Sequence, residues 1–326
     1  MTPGKLAIVV PCYNEQEVLP QSLPVLQKVL QQLIDKQLVK DDSKIVFVDD
    51  GSTDTTWSLI EQASHLNQDV AGVKLSRNFG HQGALLAGLS VVADADLTIT
   101  IDSDLQDDPT AMIAMVEKYH EGNEVVYGVR NNRDSDSSFK RTTAELFYKI
   151  MGFLGVNLVP DSADFRLLSQ RATRVLLSYP EKNLFLRGLV PLVGFKSDKV
   201  YYRRHERAAG TSKYPLYKML HFAIDGITSF SVAPIKLIMS LGLLIVGISL
   251  LLLIYTIIQK MRGDVVSGWS SLMVSIWALG GIQLICISVI GEYVGKIFNE
   301  VKGRPRFTIE KNLYNKTKNE QGENDD

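Results

Sequence analysis

Leu97-Thr98-Ile99-Thr100-Ile101-Asp102-Ser103-Asp104-Leu105-Gln106-Asp107-Asp108 is an apolar run that stops abruptly in carboxylates. The first five residues, rich in β-branched types, read as a buried strand. A carboxylate cluster directly after such a strand needs a reason, because Asp102 and Asp104 flank one residue and repel each other unless a cation sits beside them. Hard oxygen ligands at this spacing suit Mg2+ or Mn2+ held together with substrate phosphates. Taken alone, an Asp-x-Asp pattern is as consistent with an acidic loop or a helix cap, so its surroundings have to decide.

Working outward, the same arrangement recurs. Strands are expected at Lys5–Val10, Lys44–Val48, Gly72–Leu75, Leu97–Ile101 and Glu124–Tyr127, with helices between them, for example Thr55–Asn67, Gln82–Ala93 and Pro109–His120. Asp108 is placed to N-cap the last of these, Pro109 suits the first helical position, and Gly122 ends it. This alternation predicts an α/β domain with a mostly parallel sheet covered by helices. In such sheets ligands bind outside the carboxyl ends of the strands. The loops there hold Pro11-Cys12-Tyr13-Asn14-Glu15, Asp49-Asp50-Gly51-Ser52-Thr53-Asp54, Ser76-Arg77-Asn78-Phe79-Gly80-His81 and the Asp102 to Asp108 cluster. Asp50 and Ser52 suit hydrogen bonds to a base or ribose, Gly51 permits a tight turn, and Asp54 reads as the cap of the next helix.

The chain has 326 residues and a formal net charge of −1, which gives no general reason to expect a nucleic-acid partner. Its two cysteines, Cys12 and Cys286, imply no disulfide framework and fit a reducing compartment. The apolar run Leu6–Val10 is too short for a signal-peptide core and is followed at once by polar residues, so the first 230 residues are expected in the cytosol. The sequence after that is different. Leu237–Ile258 and Trp269–Ile290 are uncharged runs of 22 residues each, long enough at about 1.5 Å per residue to cross roughly 30 Å of hydrocarbon. The short linker Gln259–Gly268 makes them a hairpin. Lys213, Lys218, Lys236, Lys296, Lys302, Arg304 and Arg306 on the flanks outnumber Lys260 and Arg262 in the linker, which predicts a cytoplasmic catalytic side.

Leu216, Leu220, Ile224, Ile227 and Phe230 recur at helical spacing and suggest an amphipathic helix on the membrane surface. The expected organisation is therefore a catalytic domain at 1–213, an interfacial helix at 214–231, two transmembrane helices within 232–292 (about 237–258 and 269–290) and a cytoplasmic tail at 293–326, polar and disordered from Asn312. Gly280-Gly281 and Gly291-x-x-x-Gly295 permit close helix contact, so a homo-oligomer is a possible partner state.

Ile8-Val9-Val10-Pro11-Cys12-Tyr13-Asn14-Glu15, Val48-Asp49-Asp50-Gly51-Ser52-Thr53-Asp54, Arg77-Asn78-Phe79-Gly80-His81-Gln82 and Asp102-Ser103-Asp104-Leu105-Gln106, in that order, resemble glycosyltransferase family 2. Ala163-Asp164-Phe165-Arg166-Leu167, Arg207-x-x-Gly210-x-Ser212-Lys213-Tyr214 and the two spans ending in Gly291-Glu292-Tyr293 extend the resemblance to the polyprenyl-phosphate sugar synthase branch and over nearly the whole chain. The resemblance implies a GT-A (Rossmann-like) domain followed by a membrane-associated amphipathic helix and a transmembrane hairpin. Pro11, Tyr13, Glu15, Val48 and Asp50 would hold the nucleotide of a nucleotide-sugar donor. Asp102, Ser103 and Asp104 would meet its diphosphate and sugar, with Asp104 and Gln106 as ligands of Mg2+ or Mn2+, and Arg130, Arg207 and Lys213 on phosphates.

Arg141, Arg166 and Arg204 are expected at the phosphate of a polyisoprenyl acceptor, whose charge basic residues near a membrane surface would attract. Lys140 reads as surface charge. Asp164 is expected to orient the acceptor or act as base, although a phosphate monoester is largely ionised near neutral pH and needs no strong base. The catalytic set is thus Asp102, Asp104 and Asp164. His81 and His205 have no partner assignable from sequence, and a structural role is the simpler reading for both.

The implied activity is inverting transfer of a hexose, glucose from UDP-glucose, onto undecaprenyl phosphate in glycolipid biosynthesis at the bacterial inner membrane. Mannose or a modified aminopentose is the alternative sugar, and an inert scaffold or lipid-translocating subunit is the alternative of another class. A processive polysaccharide synthase predicts more spans and a Gln-x-x-Arg-Trp motif, neither of which is found.

Overall fold

In the computed structural model, residues 2–131, 159–182, 185–204, 232–262 and 268–314 are described. The chain divides into two compact units, one holding the N-terminal part together with the segment from Arg304 onward, the other holding Leu216–Gly303 with a short piece at 150–156.

The first unit is built on strands β1 (Leu6–Cys12), β2 (Lys44–Asp49), β3 (Val70–Leu75), β4 (Leu97–Thr100), β5 (Val125–Arg130), β6 (Ser162–Ser169), β7 (Ser197–Tyr202) and β8 (Ile309–Asn312). Its helices are α1 (Leu19–Asp35), α2 (Thr56–Leu66), α3 (His81–Val91), α4 (Ala111–His120), α5 (Gln170–Ser178) and α6 (Leu186–Leu192). The strands form one sheet in the order β7-β5-β6-β4-β1-β2-β3-β8. Strands β1 to β4 are mutually parallel, β5 runs parallel to β7, and β6 and β8 run against their neighbours. This is the GT-A-like, mostly parallel α/β fold expected.

Alternation along the strands sorts the core. Leu6, Ile8 and Val10 of β1 join Ile45 and Phe47 of β2 in a cluster with Leu26 and Leu30 of α1, Trp57 and Ile60 of α2, and Met112 and Met115 of α4. On the other face Val9 and Val48 meet α3, where Gly88 is required. A Cβ at Gly88 would lie 2.4 Å from Val9 Cγ1 and 2.8 Å from Val48 Cγ2.

All five predicted strands form, each within a few residues of its expected ends. Asp108 makes a turn ahead of the helix in place of the expected cap: its Oδ1 accepts from the Thr110 N–H at 2.9 Å and the Thr110 hydroxyl at 2.7 Å, while α4 begins at Ala111 with Thr110 as N-cap, and Gly122 follows its end at φ 89°. Two further features depart from the sequence reading. The antiparallel insertion β6 between β4 and β5 brings the Asp164 end of its strand to the carboxyl ends of its neighbours, with Thr100 opposite Arg166 and Val129 opposite Ser162. The C-terminal segment, expected as a tail, supplies the edge strand β8. Arg306 secures its approach by donating to the Tyr179 carbonyl at 2.9 Å and the Leu177 carbonyl at 3.2 Å, beyond the end of α5 and at its last turn.

In the second unit both predicted spans are helical, as α7 (Ala233–Met261) and α8 (Trp269–Val301). Among the described residues one stretch, Leu279–Val301, is long and apolar enough to cross a membrane, and none of it is buried within the protein. A shorter apolar stretch covers Pro234–Ile245. The interfacial helix expected at 214–231 lies outside the described residues.

Candidate active site

The four sequence loops converge at one end of the sheet, and the first two are laced together. Asn14 sits at φ 54°, a left-handed conformation asparagine tolerates. Its N–H donates to Ser52 Oγ at 2.9 Å, and its Oδ1 accepts from the Thr53 N–H at 2.9 Å. The Glu15 N–H donates to Thr56 Oγ1 at 2.9 Å, and Gln16 Oε1 accepts from the Thr55 hydroxyl at 2.9 Å. Asp54 Oδ1 accepts from the Thr56 N–H at 3.0 Å, so Asp54 braces the start of α2 from one residue before the N-cap position, which Thr55 occupies. Ser52, read as a contact to base or ribose, spends its oxygen on Asn14.

Asp50, 3% exposed, links the second loop to the third: its Oδ1 accepts from the Phe79 N–H at 2.7 Å. Burial raises the Asp50 carboxyl, while the Phe79 and Gly80 amides draw it back. Gly51 at φ 68° lies against the same loop, and a Cβ there would stand 2.4 Å from the Arg77 carbonyl carbon. Tyr13 is exposed, Glu15 half-buried and Pro11 buried. Val48 is fully buried, its side chain against α3 and its backbone paired between β1 and β3, so a nucleotide contact from it is not on the surface of the site.

The acidic loop is held from the far side of the sheet. Asp107 Oδ1 accepts from Arg130 Nε at 3.0 Å and a terminal Arg130 nitrogen at 2.9 Å. Burial would lower the Arg130 guanidinium, and the Asp107 charge outweighs it and raises it. Arg130, expected on phosphate, therefore clamps the loop. The Gln106 N–H donates to Asp104 Oδ1 at 3.1 Å across Leu105, which adopts φ 54°. Gln106 Oε1 accepts from Arg204, so a predicted acceptor-binding residue touches a predicted metal ligand. Ser103 is buried beside Cys12, whose thiol burial pushes up.

Asp164 is 6% exposed and surrounded by cations. Its Oδ1 accepts from Arg166, its Oδ2 lies 3.5 Å from an Arg187 nitrogen, and the same oxygen is 3.4 Å from His81 Nε2. Burial would raise its carboxyl, and His81, Arg166 and Arg187 together hold it far below the usual carboxylate range. A carboxylate so clamped is a poor proton acceptor, which favours the orienting role over that of base. Arg166, itself buried, also donates to the Leu186 carbonyl at 3.3 Å. Asp102 Oδ1 lies 3.4 Å from the same His81 nitrogen and has no hydrogen-bond partner; burial pushes its carboxyl up to about 6.

Among the described residues no group of three or more His, Cys, Asp or Glu converges into a metal cage. Asp104 and Gln106 each carry hard oxygen on one loop, with Gln106 Oε1 engaged by Arg204 and Asp104 Oδ1 by the Gln106 N–H, so Arg204 would have to yield to a cation at Gln106. Such an open set fits Mg2+ or Mn2+, whose remaining positions go to waters and substrate phosphates. Arg141, Arg207 and Lys213 lie outside the described residues.

The sequence model described as glycosyl transferase family 2 matches residues 7–177. The chain belongs to glycosyltransferase family 2. It is 53% identical over 95% of its length to the uncharacterized glycosyltransferase YkoT of Bacillus subtilis, 92% of which is covered. To the bactoprenol glucosyl transferase of Shigella phage SfII the glycosyltransferase is 40% identical over 94% of its length and 98% of that protein's. Among solved structures it is similar to the glucosyl-3-phosphoglycerate synthase of Mycobacterium tuberculosis in complex with phosphoglyceric acid, at 19% identity and a TM-score of 0.44, over 70% of this chain and 79% of that one.

Two members of this glycosyltransferase's site were missed in the sequence. His81 stands in the Arg77–Gln82 motif, where the sequence assigns it no partner and a structural role is the simpler reading, and Arg187 sits in a helix outside every motif. Their common partner, Asp164, lies 83 residues after His81 and 23 before Arg187 in the chain. No local pattern relates them.

Proposed function

We propose that this enzyme transfers glucose from UDP-glucose to a polyisoprenyl phosphate, such as undecaprenyl phosphate, with inversion at the anomeric carbon. The observation that carries the proposal is the near full-length likeness, at 40% identity, to a bactoprenol glucosyl transferase. In this proposal Pro11, Tyr13, Glu15 and Asp50 would hold the nucleotide, and Asp102, Ser103 and Asp104 would meet the diphosphate and sugar. Asp104 and Gln106 are the residues that would hold Mg2+ or Mn2+, which when bound supplies positive charge for the departing nucleoside diphosphate.

The acceptor phosphate, already largely ionised, attacks the anomeric carbon directly. Arg166 and Arg187 set Asp164 in place to orient that acceptor, and Arg204 reaches the acidic loop from the end of β7. Arg141, Arg207 and Lys213 complete the phosphate-binding set in this proposal. Fixed charges at the developing oxyanion are the largest rate contribution available to such a site.

An acceptor of this kind is confined to a bilayer, and Leu279–Val301 supports membrane association. We place both α7 and α8 across the membrane as a hairpin from an interfacial helix at 214–231. The catalytic domain and both termini then face the cytoplasm of a bacterial cell. Side chains at Gly280, Gly281, Gly291 and Gly295 would meet no neighbour within 4 Å, which leaves room for a second copy against α8.

The test is incubation of the detergent-purified protein with undecaprenyl phosphate and a panel of nucleotide-sugars, followed by mass spectrometry of the lipid. Glucosyl-phosphoryl-undecaprenol from UDP-glucose is expected. Product with GDP-mannose or an aminopentose donor alone would overturn the choice of glucose, and no product from any donor would overturn the enzyme reading.

A further inference from the structure

Two carboxylates from different strands share one imidazole. His81 Nε2 lies 3.4 Å from Asp102 Oδ1, at the end of β4, and 3.4 Å from Asp164 Oδ2, on β6. Arg166 and Arg187 serve Asp164, while Asp102 Oδ1 has no hydrogen bond to any other group. His81 is the first residue of α3 and follows Gly80, whose φ of 83° turns the chain into the helix. The next residue fixes the helix end from the other side: Gln82 Oε1 accepts from the Leu186 N–H at 3.1 Å, tying α3 to the start of α6. The His81 side chain is still 41% exposed.

We infer that His81 is a positioning residue that works in its protonated form, bridging Asp102 and Asp164 so that the donor-facing and acceptor-facing halves of the site keep one separation. The inference rests on the proposed transfer for what each carboxylate faces. A single N–H of a neutral imidazole satisfies one carboxylate at a time, whereas the charge of an imidazolium attracts both. The charged groups around the ring are Asp50 from the β2 loop, Asp102 from the end of β4, Asp164 and Arg166 from β6, and Arg187 from α6. Burial opposes charging the ring, and so do Arg187 and the positive end of α3. The carboxylates outweigh them, and the imidazole is raised above its ordinary value.

The sign follows. With a raised value the imidazolium is present below it and lost as pH rises through it, so His81 sets the alkaline side of the rate profile. The acid side is shared by the acceptor, whose phosphate takes up its second proton near about pH 6, and by Asp102, whose carboxyl burial pushes up to about 6.

The experiment measures kcat and both KM values from about pH 5 to 10 for wild type, His81→Gln and His81→Lys, each checked for an unchanged melting temperature. Wild type is expected to lose rate on the alkaline side, above the ordinary imidazole value of about 6.5. His81→Gln is expected to be roughly ten- to hundredfold slower at neutral pH, chiefly in kcat, with no alkaline limb, and His81→Lys to shift that limb upward. An alkaline limb in His81→Gln like that of wild type would overturn the inference.

A second arm needs no activity: NMR titration of histidine-labelled protein, with the His81 signal identified by its loss in His81→Gln. Titration above the ordinary value, falling in Asp164→Asn, supports the bridge; titration at or below the ordinary value overturns it. If wild type transfers no sugar, the transfer reading fails, and the titration still decides for or against the bridge.

Discussion

Arg130 brings Nε and one terminal nitrogen to a single oxygen of Asp107, at 3.0 and 2.9 Å. The pair joins the end of β5 to the acidic loop after β4, and Asp107 is only 2% exposed. Its other oxygen is buried without a hydrogen bond, so the clamp depends on Arg130. Arg130→Met should leave a buried carboxylate uncompensated, at a cost of about 2–3 kcal/mol. The loop carrying Asp104 and Gln106 should then shift. The expected outcome is a lower melting temperature, a raised KM for the donor and at least a tenfold fall in kcat/KM. A donor KM unchanged in a folded variant would return Arg130 to a purely peripheral role.

Gly51 is the second point at which backbone geometry controls the site. At φ 68°, with the Arg77 backbone in the space of any Cβ, Gly51→Ala must both strain its own dihedrals and push the third loop away. The left-handed conformation alone costs about 1–2 kcal/mol for alanine. Displacing the Phe79 N–H from Asp50 adds the loss of a buried hydrogen bond, about 1 kcal/mol. Thermal melting should fall accordingly, and donor affinity should weaken more than acceptor affinity. Calorimetry with UDP and with undecaprenyl phosphate separates the two.

Arg166 is buried against Asp164, and Arg166→Met should destabilise the domain by about 3 kcal/mol or more because it strands a buried charge. The pH dependence is diagnostic. The folded-state carboxyl of Asp164 is depressed, so its contribution to stability is present above the unfolded value near about 3.9 and lost only as pH falls through the folded value. Removing Arg166 raises that folded value and should move the acid unfolding midpoint upward, as circular dichroism during acid titration would record.

Chelation with EDTA should abolish transfer, and added Mg2+ or Mn2+ should restore it. Asp104→Asn should raise the metal concentration needed for half-maximal activity at least tenfold, since a charged ligand becomes neutral. Calorimetry of UDP binding with and without Mn2+ gives a readout independent of turnover: metal should tighten UDP on the wild type and do little for Asp104→Asn. Full activity in EDTA would remove the metal from the proposal.

Local chemistry made much of this protein legible in its sequence. Apolar runs ending in Asp49-Asp50-Gly51 and Asp102-Ser103-Asp104, with helical patterns between them, determined strands, helices and the parallel order, because burial and turn chemistry act on neighbouring residues. The motifs also determined the family and the end of the sheet that holds the site. Three features waited for tertiary structure. The antiparallel course of β6 brings Asp164 toward Asp102 at the strand ends, and strand sense depends on pairing across the chain. The edge strand β8 is Ile309 followed by Glu310, Lys311 and Asn312, too short and polar to be read as a strand, and it is ordered by pairing with β3 and by the Lys74–Glu310 and Lys311–Glu61 ion pairs. The cluster of His81, Asp102, Asp164, Arg166 and Arg187 draws charges from four elements, and the Coulomb forces among them act through space, which no spacing along the sequence records.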